Sequence, residues 1–296
     1  MSAGAVGGVA AALIPGSASW PVGPLTHQVH DEAWHEEAAG SEVALTLLGS
    51  WSLEVKGTKI PITSSAKRLI VLLALKGGQR RAYVAGTLWP DVPEKRALTR
   101  LRGLLWSLRR QCEHLLDSSE DSVALAPGVV VDVRRLLAVA RRVIAGAVSE
   151  EELTEQLKIL AEPAELLLGW YDDWVLVERD RINELRIRAL ECLAEQLLRS
   201  GRHGDASLAA TAAIELDPLR ESSHRALMRV YLAEGNPALA ARQVERYRRI
   251  LKSSLGREEP TAAMFELLGW PHGTHPSANG HSSLGAHPRA VASGDH

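Results

Sequence analysis

The chain has 296 residues, 46% of them apolar, which is room for two ordinary domains with real cores. Two cysteines and the absence of any apolar run of about 18 residues argue against a disulfide scaffold and a membrane span. The net charge of −2 hides an uneven distribution: residues 1–42 hold five acids and no Lys or Arg, residues 43–134 are net +6, and residues 135–270 are net −3. Cys112 and Cys192 lie in apolar helical stripes and read as buried thiols of a reducing cytosol. Met1–Pro15 lacks the basic start of a signal peptide, so a cytoplasmic protein is expected.

Residues 1–42 show no sustained period and read as a disordered leader, with Trp34 able to dock. From Val43 the pattern alternates: Val43, Leu45, Leu47, then Trp51, Leu53, Val55. A turn at Lys56–Lys59 leads to a short third strand, Ile60-Pro61-Ile62, whose proline implies an edge. Thr63-Ser64-Ser65 offers an N-cap for a helix to about Leu75, ended by Gly77-Gly78. A second helix spans about Tyr83 to Trp89 and stops at Pro90.

The third helix, about 95–116, is the most informative segment. Six basic residues and no acid fall between Lys95 and Arg110. Ala97, Leu101, Leu105, Leu108 and Cys112 form one apolar stripe, which leaves Arg96, Thr99, Arg100, Arg102, Gly103, Trp106 and Arg110 largely off it. A basic amphipathic helix seated by one face offers the other to a polyanion, DNA foremost; the plainer reading is a solvated charged face. After it, Ser122–Val133 reads as a hairpin with its tip at Pro127-Gly128.

From Leu136 the chain is nearly all helix, and its later part repeats with a period of 34. Leu193 pairs with Leu227, Leu198 with Leu232, Gly201 with Gly235 and Ala206 with Ala240. That period, with Gly at the turn and Ala at the close helix contact, is tetratricopeptide-like. The tail 271–296 reads as disordered, and its histidines His272, His275, His281, His287 and His296 do not fit a compact metal-ligand spacing.

Several segments carry a family resemblance. Leu48-Gly49-Ser50-Trp51-Ser52-Leu53, Leu88-Trp89-Pro90-Asp91, Leu101-Arg102 with Trp106-Ser107-Leu108-Arg109-Arg110, and Val131-Asp132-Val133 resemble the amino-terminal domain of the Streptomyces antibiotic regulatory protein (AfsR/SARP) family, an OmpR-type winged helix. Gly169-Trp170-Tyr171-Asp172-Asp173-Trp174 and Leu216-Asp217-Pro218-Leu219-Arg220-Glu221-Ser222-Ser223-His224 resemble the bacterial transcriptional activator domain that adjoins it. The fold implied is mixed: an α+β winged helix-turn-helix domain at 43–134, followed by an all-α tetratricopeptide-like helical repeat domain at 135–270. The resemblance implies a transcription activator whose third helix enters the major groove of double-stranded DNA, often as two protomers on direct repeats. Its helical domain would serve dimerisation and RNA polymerase contact.

On that reading Arg96, Arg100, Arg102 and Arg110 are phosphate or base contacts, with Arg100 and Arg102 favoured for bases because they lie in the first turns. Thr99 could meet a thymine methyl or a phosphate, and Gly103 reads either as permitting close approach of the helix backbone or as drift at an uncritical position. Trp106 is expected to pack against its own domain rather than stack on the sugar–phosphate backbone. Lys67 and Arg68, at the start of the first helix, are further phosphate candidates. The wing lacks a basic residue at its Pro127-Gly128 tip. Trp170, Tyr171, Asp173 and Trp174 read as an anchor of the helix stack or of the domain junction rather than as a ligand pocket. Arg242, Arg246 and Arg249 fall on one helix face, which reads as a solvated or partner-facing surface. No nucleophile, metal-ligand or phosphate-loop motif occurs, so the expectation is neither an enzyme nor a cofactor binder. The rival readings are a helical-repeat protein–protein adaptor and a ligand-gated regulator.

Overall fold

A computed structural model describes residues 37–38, 40–256 and 259–270. The expected leader through residue 36, with Trp34, and the histidine-bearing tail from 271 lie outside the described residues. The chain divides into two compact units: Met1–Asp132 with Glu162–Leu166, and Val133–Ala161 with Leu167–His296. No described helix is long and apolar enough to cross a membrane.

The first unit is mixed α and β. Strands β1 (Val43–Thr46), β2 (Ser52–Val55), β3 (Thr58–Lys59) and β7 (Val129–Val131) make a four-stranded sheet in the order β3-β2-β1-β7. The β2–β3 turn places Lys56 at φ 50° and Gly57 at φ 73°, the paired positive values of a tight turn that follows strand twist. The third strand lies earlier than the expected Ile60–Ile62. Ile60 N–H still donates to the Leu53 carbonyl (2.9 Å), and Pro61, having no N–H, stops the ladder there. A second sheet orders β4 (Gln79–Arg80), β6 (Ser122–Leu125) and β5 (Leu116–Ser118).

Three helices cover these sheets. Helix α1 (Ser64–Lys76) is capped by the Thr63 side chain and buries Leu69 through Ala74, and Gly77 ends it at φ 74°. Helix α2 (Arg81–Leu88) and helix α3 (Glu94–Gln111) follow and pack on one another. The end expected at about 116 falls at 111. Cys112 turns extended, and Leu115 and Leu116 are buried in the sheet region instead of continuing the helix.

The expected hairpin is corrected in its pairing. β6 pairs antiparallel with β5, so the turn is Ser119-Glu120-Asp121, whereas β7 leaves β6 and pairs in parallel with β1. Just past β7, buried Asp132 begins helix α4 (Asp132–Ile144) and accepts hydrogen bonds from the backbone N–H of Leu47 (3.0 and 2.8 Å) and Leu48 (2.8 Å). Those donors lie where β1 has run out of strand partners, and a carboxylate suits them because it only accepts. Gly49 N–H donates to the Glu165 carbonyl (2.7 Å), and Leu48 bridges Leu166.

The second unit is nearly all helix: the rest of α4, then α5 (Leu153–Ala161), α6 (Asp173–Arg199), α7 (His203–Leu216), α8 (Glu221–Ala233), α9 (Pro237–Leu255) and α10 (Ala262–Glu266). The sequence offset of 34 reappears in backbone geometry. Gly201 and Gly235 have φ of 70° and 71°, and Arg202 N–H to Leu197 O repeats as Asn236 N–H to Tyr231 O. These are the helix-ending bonds for which a left-handed glycine is favoured. Ala206 and Ala240 are both fully buried at equivalent places on α7 and α9.

The segment from Asp217 to His224 is explained by bonding. The Asp217 side chain accepts from Leu219 N–H (3.0 Å), and Ser222 and Ser223 donate to Glu191 (2.6 and 2.7 Å). Arg220 pairs with both Glu184 and Glu191. Buried His224 donates from Nε2 to the Pro218 carbonyl (2.9 Å) and accepts at Nδ1 from Gln243 (2.6 Å), with its ring 4.4 Å from that of Tyr247. Burial pushes this imidazole below its ordinary range, against a smaller opposite pull from the Pro218 carbonyl.

Two outcomes follow from these contacts. Asp132→Asn leaves one acceptor oxygen for two buried donors and brings an extra donor. It should destabilise the first unit by about 1–3 kcal/mol in denaturant unfolding. At His224 the unfolded chain takes up a proton below about pH 6.5, whereas the folded chain resists. Stability of the second unit is therefore complete above that pH and should fall as pH drops from 7 to 5. A His224→Gln variant should lose much of that slope; an unchanged slope would place the titration elsewhere.

Candidate nucleic-acid interface

Burial fixes how α3 is rotated. Ala97, Leu101, Leu105, Leu108 and Cys112 are each at most 5% exposed and seat the helix on the unit. At about 100° per residue, the opposite side is the row Thr99, Gly103, Trp106, Arg110, at spacings i, i+4, i+7 and i+11. All four are exposed, as are Arg96, Arg100 and Arg102. Arg100 and Arg102, the expected base readers, flank this row on opposite sides rather than lying along it.

The side chains of that face differ in how they are held. Among the described residues Arg96, Arg100 and Arg102 have no hydrogen-bond or ion-pair partner, so their guanidinium groups stand as donors toward solvent. The Thr99 hydroxyl donates back to the Lys95 carbonyl (2.9 Å). Trp106 is 62% exposed, against the expectation that it packs on its own unit, and the Arg110 guanidinium lies 4.8 Å from its ring centre. A Cβ built on Gly103 would meet nothing within 4 Å, so no internal packing demands glycine there. Arg109 behaves otherwise: it donates to the Ser118 carbonyl and hydroxyl, tying α3 to β5.

Lys67 and Arg68 are engaged inside the unit. The Lys67 ammonium sits 4.6 Å from the Trp51 ring centre, and Arg68 donates to the Leu88 carbonyl at the end of α2 (3.2 Å). Two other arginines, not singled out in the sequence, join the candidate surface. Arg80 and Arg81, at the start of α2, line a groove of about 850 Å³ together with Leu98, Leu101, Arg102, Glu120 and Asp121, and the Arg81 N–H donates to the Asp121 carbonyl (2.9 Å). The adjacent basic pair was the available signal. The hairpin tip is thus acidic, which changes its position but not the finding that it lacks a cation.

In the second unit, Arg179 donates to the Leu167 and Trp170 carbonyls (3.0 and 3.1 Å), so Trp170 is tied through its backbone. Trp174 is half-buried, Asp173 is exposed at the start of α6, and Tyr171 is 78% exposed, so Tyr171 anchors nothing within the unit. Leu168 and Val177 are exposed beside it in sequence. Arg242, Arg246 and Arg249 are exposed on α9, whereas Arg248 is buried against Glu245 and Glu259. No group of three or more metal-ligating side chains occurs among the described residues.

Comparison with known proteins adds the following. No curated protein matches the chain in sequence. The fold is similar to that of EmbR from Mycobacterium tuberculosis, solved in complex with a low affinity phosphopeptide, with a TM-score of 0.60 and 17% identity over 77% of this chain. The chain spans 64% of the length of that EmbR chain. A mixed first unit with small sheets and a helical second unit is the architecture shared. Residues 131–268 match the family described as bacterial transcriptional activator domain.

Proposed function

We propose that the chain is a sequence-specific DNA-binding transcription activator, with a winged helix-turn-helix at 43–134 and a tetratricopeptide-like activator domain at 135–270. The observation that carries this reading is α3, seated by its apolar stripe and turning Arg96, Arg100, Arg102 and Arg110 outward with no acidic partner among the described residues. The outward row enters the major groove. Arg100 and Arg102 on its flanks, and Arg80 and Arg81 beside Arg102, neutralise phosphates on either side. The helical domain serves a second protomer on direct repeats and contacts RNA polymerase.

Arginine fits the flanks because its planar fork takes a phosphate oxygen pair with two parallel bonds. The acidic turn Glu120-Asp121 keeps that hairpin tip off the phosphate backbone, so affinity rests on α3 and its neighbours. A second reading, a protein–protein adaptor, draws on the exposed Leu168, Tyr171 and Val177 of the helical half.

Salt dependence separates the two. Duplex affinity of the full chain should fall linearly in log salt, and Arg100→Ala or Arg102→Ala should each weaken binding on all sequences and lower the slope by about 1. An absence of duplex binding at low salt would favour the adaptor. Gly103→Ala should raise helix stability by about 1 kcal/mol, since the added methyl meets nothing, yet weaken DNA binding where the backbone approaches the groove. Thermal unfolding and a titration of the same variant test both halves. A variant that is more stable and binds equally well would remove Gly103 from the interface.

A further inference from the structure

We infer that Trp106 is a specificity-determining residue that reads the 5-methyl group of thymine. The inference rests on the DNA-reading role proposed above and goes beyond it by naming the base feature recognised.

The row opposite the buried stripe presents carbon rather than hydrogen-bonding groups over most of its length. The Thr99 hydroxyl is turned back to the Lys95 carbonyl (2.9 Å), which leaves its methyl as the group on offer. Gly103 offers only backbone, with open space around it. Trp106 follows one turn later, 62% exposed, as the largest apolar surface on this face of the helix. An indole left 62% exposed on an otherwise basic face gains by being covered further.

Arg110 completes the arrangement. Its guanidinium rests 4.8 Å from the indole ring centre, so one ring face is already occupied and the ring is held in place. What remains available is the other face and the ring edge. Among the groups that base pairs display in the major groove, the thymine methyl is the apolar one; the rest are donors and acceptors. The glycine one turn before removes any side chain that would hold the helix away from the base edges. An A·T pair under Trp106 buries both the methyl and the indole, whereas G·C places polar atoms against carbon.

The test uses the full chain and a high-affinity duplex selected from a random-sequence pool. Each thymine is then replaced singly by uracil, which removes the methyl and keeps every hydrogen-bonding group. The wild-type protein should lose affinity roughly three- to fivefold at one or two positions, the size expected for one buried methyl group. Trp106→Ala should bind the thymine duplex more weakly and show no change on uracil substitution at those positions. Trp106→Phe, which keeps an apolar ring, should retain part of the sensitivity and guards against a folding defect in the alanine variant. Equal sensitivity in wild type and Trp106→Ala, or no sensitive position in a specifically bound duplex, overturns this inference and leaves the DNA-reading role standing. Sensitivity to 7-deazaguanine in place of guanine that Trp106→Ala abolishes, without sensitivity to uracil, would assign the indole N–H as the reader and overturn it as well. A pool that yields no duplex above the non-specific level overturns the DNA-reading role, and this inference with it.

Discussion

The rotation of α3 about its own axis is the constraint on which the outward chemistry of the first unit depends. That rotation is set by four buried positions, Ala97, Leu101, Leu105 and Leu108, which seal one side of the helix against the unit, with Cys112 buried just past its end. Once they are sealed, helical geometry leaves no choice about what faces away. Burial of these few apolar groups, at roughly 1.5–3 kcal/mol for each large side chain, therefore places the basic face as firmly as any direct contact could. Hydrogen bonding then sorts the arginines: Arg109 is drawn to Ser118, while Arg96, Arg100 and Arg102 stay turned toward solvent.

The stripe was legible in the sequence because helical periodicity is a local property. Its finer consequence was less so. Arg100 and Arg102 look central when the helix is read from its N-terminal end, and flanking once the buried stripe is used as the reference. Trp106 lay at the edge of the apolar pattern, where spacing alone does not decide between core and surface; packing turns it outward and sets Arg110 over its ring. Lys67 and Arg68 show the opposite case. Their position at a helix start suggested anions, but Trp51 and the Leu88 carbonyl, distant in sequence, are their neighbours.

Strand pairing was the part least accessible from sequence. The runs at 122–125 and 129–131 are both apolar and separated by Pro127-Gly128, the signature of a hairpin, and yet β7 pairs with β1, more than 80 residues earlier. Local turn chemistry cannot report a parallel partner that far away. The Val131-Asp132-Val133 segment carried the missing clue. A carboxylate between two buried valines needs donors, and the end of β1 supplies them through the Leu47 and Leu48 amides. The helical unit was easier to read because its repeat is sequential. Gly201 and Gly235 mark equivalent turns, and His224, which looked isolated in sequence, closes the Asp217–Leu219 turn onto α9 through Gln243 and the Pro218 carbonyl.

The relocated hairpin tip also bears on how a polyanion could meet the first unit. Arg80, Arg81 and Arg102 share the lining of the groove with Glu120 and Asp121, and the Arg81 N–H donates to the Asp121 carbonyl (2.9 Å), so both signs of charge lie close together there. On the proposed DNA-reading role, a phosphate backbone lying against the arginines is attracted, and the same backbone shifted toward the exposed Glu120-Asp121 turn meets like charge. A purely cationic surface would hold DNA in many registers at similar free energy. An acidic turn beside the arginines would penalise displaced registers relative to the one in which the outward row of α3 faces the base edges. On that reading the two carboxylates would lower total affinity while sharpening the alignment of Thr99, Gly103, Trp106 and Arg110, which is the exchange a sequence reader requires.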